Sequence, residues 1–278
     1  MVTRTLVHPR DSGASDPRDR LLETFRGLDY RPPRLPRVGL ELMELARRPE
    51  TDLGRLVHTV ERDPDLAVDV LRLAHGPGYV AIGVASVEQV LTRLGVEPLI
   101  ELVLRASFRP LFVNDVYAER VDALRRHSVA TAHITRIVCR QTALDGDYAF
   151  VCGLLHDAGV LAALSVFAQA SAPPSLVEIW AAVEAVHAEA GATVARHWRL
   201  PMDVAYVLQF HHLDEARAGL HPMAAAVCVA DRLAVQLGFA YGDDDMRALP
   251  RASHVLGLTP AVIKLIRRQA EAVLDGVD

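Results

Sequence analysis

The residues with the most chemistry in them are histidines and aspartates set at intervals through the second half of the chain. His156 and Asp157 are adjacent, in CGLLHDAG at the end of an apolar run, with His127 upstream in RRHSVATA. Downstream follow His187 in HAEAGATVARHW, His211 and His212 in FHHLD, and Asp231 in AVCVADRLA. Helical folds build metal sites from single ligands on facing helices, and gaps of roughly 20 to 30 residues suit one ligand per helix and turn. Adjacent ligands such as His156 and Asp157 can share one edge of a metal, and a carboxylate can bridge two ions. Neutral imidazole with carboxylate oxygen favours iron, manganese, nickel or zinc, while the lack of nearby thiolate serves copper(I) and iron–sulfur chemistry poorly. One or two divalent transition-metal ions are therefore expected on His127, His156, Asp157, His187, His211, His212 and Asp231. Such a centre lowers the pKa of a bound water and orients a phosphate ester, the chemistry of metal-assisted hydrolysis.

Taken singly, a histidine on an apolar helix is more often a hydrogen-bonded core residue than a ligand. That reading is given to His58, His133 and His197, and His75, His221 and His254, near Gly or Pro, are read as loop residues. Only the ordered set separates the seven candidates from these six. Applied to the whole set, the plainer reading leaves a metal-free interaction scaffold.

The elements that must position the ligands read as helices. Hydrophobic residues make up 51% of the 278 residues and aromatics 5%, an aliphatic composition that excludes disorder and leans toward helix. No alternating strand pattern of any length occurs. Leu53, Leu56, Val57 and Val60 follow a capping candidate at Asp52, and Asp63-Pro64 opens a second helix that ends at Gly76-Pro77-Gly78. Ser86 with Gln89 forms a capping-box pattern, Gly95 stops that helix, and Pro98 starts the next. Helical periodicity then runs over residues 124–138, 179–198, 201–210, 223–237 and 259–274. Pro173-Pro174 separates two of these helices, and Gly242-Asp243-Asp244-Asp245 reads as an exposed turn. The expected organisation is a tail and packing arm over 1–34, a helical lobe over 35–115, and a second helical lobe over 116–278 that carries the whole ligand set. The joint falls near Phe112-Val113-Asn114-Asp115, where apolar periodicity weakens.

Composition also narrows the partners. Thirty Lys and Arg against 35 Asp and Glu give a net charge of −5, which lacks the positive excess that phosphate-backbone binding requires, so nucleic acid is not the expected partner. Cys139, Cys152 and Cys228 form no CxxC pair and point to a reducing compartment. The longest charge-free apolar stretch, residues 158–170, is shorter than the roughly 20 residues that span a bilayer, so a cytoplasmic protein without a membrane anchor is expected. P-loop, GxGxxG and GxSxG patterns are absent.

The order His127, His156-Asp157, His187, His211-His212, Asp231 resembles the HD superfamily of helical metal-dependent phosphohydrolases. The segments LPRVGLELMELARRPETDLGRLVHTVERDPDLAVDVLRLAHGPGY and ASVEQVLTRLGVEPLIELVL, with GLLHDAG and HAEAGATVARHWRLP after them, resemble one branch, the HDOD domain, over about residues 35–237. The resemblance implies an all-α regulatory or output module of bacterial signal transduction, in a family where the HD ligands are often eroded. Here every ligand position is filled. Compared with catalytic HD-GYP relatives, which are cyclic di-GMP phosphodiesterases, their HDxGK lysine falls on Val160 and the glutamate before the first histidine falls on Ala123. No GYP follows His211-His212. The leading expectation is a signalling module with an HD-type metal site and a protein partner, non-catalytic or weakly catalytic. The alternative is a metal-dependent phosphohydrolase or phosphodiesterase for a nucleotide or cyclic dinucleotide.

Overall fold

The computed structural model describes residues 16–32, 53–62, 64–75, 84–109, 114–146, 148–212, 221–242 and 248–275. Among them the regular structure is entirely helical. The capping candidates Asp52 and Asp63, the Gly76-Pro77-Gly78 break and Phe112 and Val113 of the joint lie outside the described residues, as does the acidic part of the 242–245 turn.

Helix α1 (Pro17–Arg26) starts where the Asp16 carboxylate accepts from the Arg18 N–H and proline takes the first helical position, and it buries Leu21 and Phe25. Leu28 lies past the helix and is 98% exposed. Helices α2 (Leu53–Glu61), α3 (Pro64–Ala74), α4 (Val87–Leu94) and α5 (Val96–Phe108) follow. Ser86 caps α4 by accepting from the Gln89 N–H at 3.2 Å. Gly95, at φ +87°, ends α4 in a conformation that side-chain-bearing residues rarely adopt. Helix α5 starts at Val96, so Pro98 sits within its first turn rather than at its start.

The second half is organised around α6 (Ala118–Thr142), which packs against α7 (Ala149–Leu155), α11 (Pro222–Gln236) and α13 (Pro260–Leu274). Helix α9 (Leu176–His197) opens with a capping box of Ser175 and Glu178 and packs on α1, on α8 (Ala158–Ala168) and on α10 (Met202–Phe210). Pro222 and Pro260 each take the first helical position, behind side-chain caps from His221 and Thr259. Helix α12 (Ala248–Val255) completes the set and carries His254, so His254 is helical rather than a loop residue.

Helices α7 and α8 leave no periodic signal in the sequence, because fully buried helices have no polar face. The stretch Ala149–Ala168 is long and apolar enough to cross a membrane, longer than the 158–170 run suggested. Inside this fold 89% of its apolar window is buried against the protein.

Two apolar clusters form. One joins α2, α3, α4 and α5 through Leu56, Val70, Val90 and Leu99. The other includes Leu21 and Phe25 of α1 and the interior of α6 to α11. Helix α5 belongs to both, giving Leu99, Leu102 and Val103 to the first and Leu104 and Phe108 to the second. It also sends the buried carboxylate of Glu101 to an ion pair with Arg136 on α6, beside His133 Nδ1 at 3.8 Å.

His133 is therefore the core residue expected, edge-on to Phe150. His58 and His197 are not: both are exposed, and His197 places Nδ1 at 2.9 Å from the Thr193 carbonyl on its own helix. Each projects from the polar side of an amphipathic helix, which periodicity alone did not resolve. Burial, with Arg105 nearby, pushes the His133 imidazole down to about 4. The folded value lies below the unfolded 6.5, so this residue's contribution is intact above pH 6.5 and is lost as pH falls toward 4. The wild type is expected to lose about 3 kcal/mol over that window relative to His133→Gln, measured as the difference between their denaturation free energies at pH 7 and pH 4.

Candidate metal centre

Four helices and one helix break bring all seven sequence candidates together. His127 comes from the middle of α6 and His187 from α9. Asp231 comes from α11, and His211 and His212 follow the end of α10. His156 and Asp157 occupy the break itself: His156 caps the C-terminus of α7 and Asp157 the N-terminus of α8. Asp157 makes no side-chain cap to its own helix, leaving its carboxylate to face inward. The turn is tight enough that a Cβ on Gly159 would overlap the His187 carbonyl oxygen, so the glycine of HDAG lets the break approach α9. A Cβ on Gly153 would likewise come within 2.6 Å of Ala132 Cα, so this glycine lets α7 lie against α6 below His127.

Asp157 is the centre. Its Oδ2 lies 2.9 Å from His156 Nε2 and 4.0 Å from His127 Nε2, and its Oδ1 lies 3.3 Å from His211 Nε2 and 3.5 Å from His187 Nε2. Asp231 Oδ1 stands 3.3 Å from His127 Nε2. The ligand atoms fall into two groups that share Asp157: His127 with His156, and His187 with His211 and His212. Asp231 adjoins the first group through His127. His127, His156 and His211 are fully buried, and Asp157 and Asp231 nearly so.

The rings are oriented from behind. Nδ1 of His127, His156, His187 and His211 faces the backbone carbonyls of Phe239, Gly153, Glu184 and Leu208 at 2.9, 2.8, 2.6 and 2.8 Å. A carbonyl only accepts, so in the neutral rings the hydrogen sits on Nδ1 and the Nε2 lone pair points into the site. This is the second-layer arrangement that metal-ligating histidines use. It leaves unmatched acceptors: His127 Nε2 and His156 Nε2 lie 3.2 Å apart, and His211 Nε2 and Asp157 Oδ1 are buried without a hydrogen-bond partner. Lone pairs facing one another in a buried site are satisfied by a cation placed between them, so these residues fit a divalent ion.

Charge follows the same logic. Burial alone would raise Asp157, but His156, His211 and His187 hold its carboxyl well below the usual carboxylate range. Burial is likewise overcome at Asp231, which His127 and Arg232 hold low. The two carboxylates in turn outweigh burial at His127 and push its imidazole up. Burial pushes His187 down, and at His212 it does so strongly, with His211 and His187 adding to the effect. The site is thus built around carboxylates held ionised, with the imidazoles of His187 and His212 held toward the neutral form.

Two side chains that sequence reasoning did not select complete the site. Tyr241, next to the residues read as an exposed turn, donates its hydroxyl to Asp157 Oδ2 at 2.6 Å, and its ring lies 4.9 Å from that of His127. The Trp180 ring meets Tyr241 edge-on, and Arg120 stacks over Trp180 at 4.4 Å. Gly242 follows because a Cβ there would lie 2.9 Å from the Trp180 ring. Arg232, buried beside Asp231, places Nη1 at 3.1 Å from Asp231 Oδ2 and Nη2 at 3.1 Å from His212 Nδ1. No local motif marks either residue; their neighbours in sequence, Gly242 and Asp231, were the only signals. Tyr241→Phe removes the hydrogen bond that orients Asp157, and a 10- to 100-fold loss of metal affinity is expected from competition titration with a chelator, with the fold retained.

Comparison with known proteins places this arrangement in a family. The HDOD domain profile matches residues 33–213. An HDOD domain protein of unknown function from Geobacter sulfurreducens superposes with a TM-score of 0.71 at 20% identity, covering 94% of this chain and 98% of that one. A candidate metal-dependent phosphohydrolase from Shewanella amazonensis SB2B superposes with a TM-score of 0.68 at 16% identity over the same shares. Both likenesses bear on the fold. Among curated relatives, a protein of uncharacterised role from Treponema pallidum is 24% identical over 239 residues, 79% of this chain and 45% of its own length. Ribonuclease Y of Thermus thermophilus is 29% identical over 141 residues, 50% of this chain and 20% of its own. The chain thus spans less than half the length of these curated relatives. From the profile match over most of its length and the all-helical fold, the chain belongs to the HDOD domain family.

Proposed function

We propose that the chain is a regulatory output module of bacterial signal transduction whose HD-like half holds a divalent transition-metal centre and has weak or no hydrolytic activity. The observation that carries the metal reading is the convergence of buried, carbonyl-oriented imidazoles on the Asp157 carboxylate, with acceptor atoms left unmatched. A metal ion bound there acidifies a coordinated water and polarises a phosphoryl oxygen. His127, His156, Asp157 and Asp231 would hold one ion. Asp157, His187 and His211, with His212 nearby, surround the place of a second. Iron, manganese, nickel and zinc all suit this donor set.

Weak catalysis is supported by what surrounds the ligands. Val160, at the position of the HD-GYP lysine, is buried, and the sole lysine of the chain, Lys264, lies on α13. Tyr241 already occupies one oxygen of Asp157. The lysine contact to a phosphate is therefore missing while the ligands are intact. In this reading the module works in the cytoplasm, and its first lobe, about residues 35–115, offers a surface to a signalling protein.

The second reading, a phosphohydrolase for a nucleotide or cyclic dinucleotide, is favoured by the two ligand groups that share Asp157, the layout that two-ion hydrolysis uses. The likeness to ribonuclease Y and to the candidate phosphohydrolase adds to it. Metal analysis of protein purified without chelator, beside a His156→Ala, Asp157→Ala double variant, tests the proposal. One or two ions per chain, lost in the variant, are expected, with no turnover of cyclic di-GMP near ordinary enzyme rates of about 1 s⁻¹ or more. Turnover at such rates, abolished by Asp157→Ala, would establish the second reading. Metal-free protein of equal stability in both forms would leave an interaction scaffold.

A further inference from the structure

His212 is held differently from the other rings of the centre. Its Nδ1 faces the Arg232 guanidinium, 3.1 Å from Nη2, rather than a carbonyl. A guanidinium has five donors and no acceptor, so this Nδ1 accepts, and the hydrogen of the neutral ring sits on Nε2. That Nε2–H lies 2.7 Å from His187 Nε2. Since His187 gives its own Nδ1–H to the Glu184 carbonyl, its Nε2 is a lone pair, and the two rings form a matched donor–acceptor contact. A ligating histidine needs the opposite arrangement, with an acceptor behind Nδ1 and a lone pair on Nε2.

Arg232 cannot easily leave. It is 3% exposed and anchored at 3.1 Å to Asp231 Oδ2, a residue of the other ligand group. With His212 acting as a donor and His187 engaged by it, two unmatched ligand atoms remain on that side, His211 Nε2 and Asp157 Oδ1. On the other side His127 Nε2, His156 Nε2, Asp157 Oδ2 and Asp231 Oδ1 all face inward as acceptors.

We propose that Arg232 is a positioning residue that keeps His212 out of the ligand set and so makes the two halves of the centre unequal, one ion held firmly by His127, His156, Asp157 and Asp231 and the second held weakly. This rests on the metal reading above and adds to it an assignment for Arg232 and a smaller ligand set. Arg232 acts through the proton position of His212, so its replacement opens the second half, while the first half loses the Asp231 contact and keeps its four ligand residues.

The test loads chelator-stripped full-length protein with Zn(II) or Mn(II), removes free metal by gel filtration, and counts ions by mass spectrometry. One ion per chain is expected in the wild type and in Arg232→Lys, which keeps a donor-only cation. Two are expected in Arg232→Gln, whose amide oxygen can accept from a His212 Nδ1–H. In titrations the second ion should bind about 100-fold or more weakly than the first in the wild type, and within about 10-fold of it in Arg232→Gln. Two firmly held ions in the wild type, one of them lost in His212→Ala, would overturn the proposal and leave the metal centre standing. A single ion in Arg232→Gln would overturn it as well. No retained ion in any form would remove the metal reading and this inference with it. Nitrogen-15 NMR of the histidine rings in the unaltered protein provides a check that needs no variant to fold: a His212 ring with its hydrogen on Nε2 is expected, and a hydrogen on Nδ1 contradicts the proposal.

Discussion

One carboxylate, buried at the break between two apolar helices, sets the terms for the rest of the structure. Asp157 is held ionised in a buried site, a state that a protein sustains only by surrounding the charge with partners. Those partners are imidazoles drawn from α6, from the α7–α8 break, from α9 and from the end of α10, so the arrangement of the helices is also the arrangement of the ligands. The rings can approach because the helices carry small residues where they meet: Gly159 against the His187 carbonyl and Gly153 against Ala132. Packing and chemistry make the same demand here, since a bulkier contact would separate the helices and with them the ligands.

The centre is also tied to the rest of the chain. Behind each inward-facing ring stands a backbone carbonyl, and the one behind His127 belongs to Phe239, beyond the end of α11. Tyr241, two residues further on, reaches Asp157 from the same segment. The segment after α11 thus contacts both a ligand ring and the central carboxylate. Helix α5 makes a second connection, because its two faces enter the two apolar clusters and its Glu101 pairs with Arg136 on α6, the helix that carries His127.

How much of this was legible in the sequence follows from how local each signal is. The ligand set was readable because its residue types are chemically distinctive and recur one per helix, and the structure brings His127, His156, Asp157, His187, His211, His212 and Asp231 together. Capping signals such as Ser86 and Thr259-Pro260 were readable because a cap involves neighbours in sequence. Helices α7 and α8 escaped notice because full burial erases amphipathic periodicity. Tyr241 and Arg232 escaped because their roles arise from an approach between distant parts of the chain. His58 and His197 depart from the core placement that apolar neighbours suggest, because a single polar side chain beside apolar ones does not reveal which face it takes, whereas His133 is in the core. The sequence set also treated its histidines as equivalent, and the distinction between His212 and the other rings depends on the Nδ1 partner, which only the folded structure supplies.

The central claim is that unmatched lone pairs around Asp157 are the donor atoms of a divalent metal site. Anomalous diffraction from crystals of the metal-loaded protein, recorded on both sides of the absorption edge of the bound metal, tests it most directly. An edge-specific peak among the Asp157 carboxylate, His127, His156 and Asp231 is the result the account predicts. A site with no such peak, in which water or direct hydrogen bonds satisfy the four Nε2 atoms, would contradict it and return the histidines to the core.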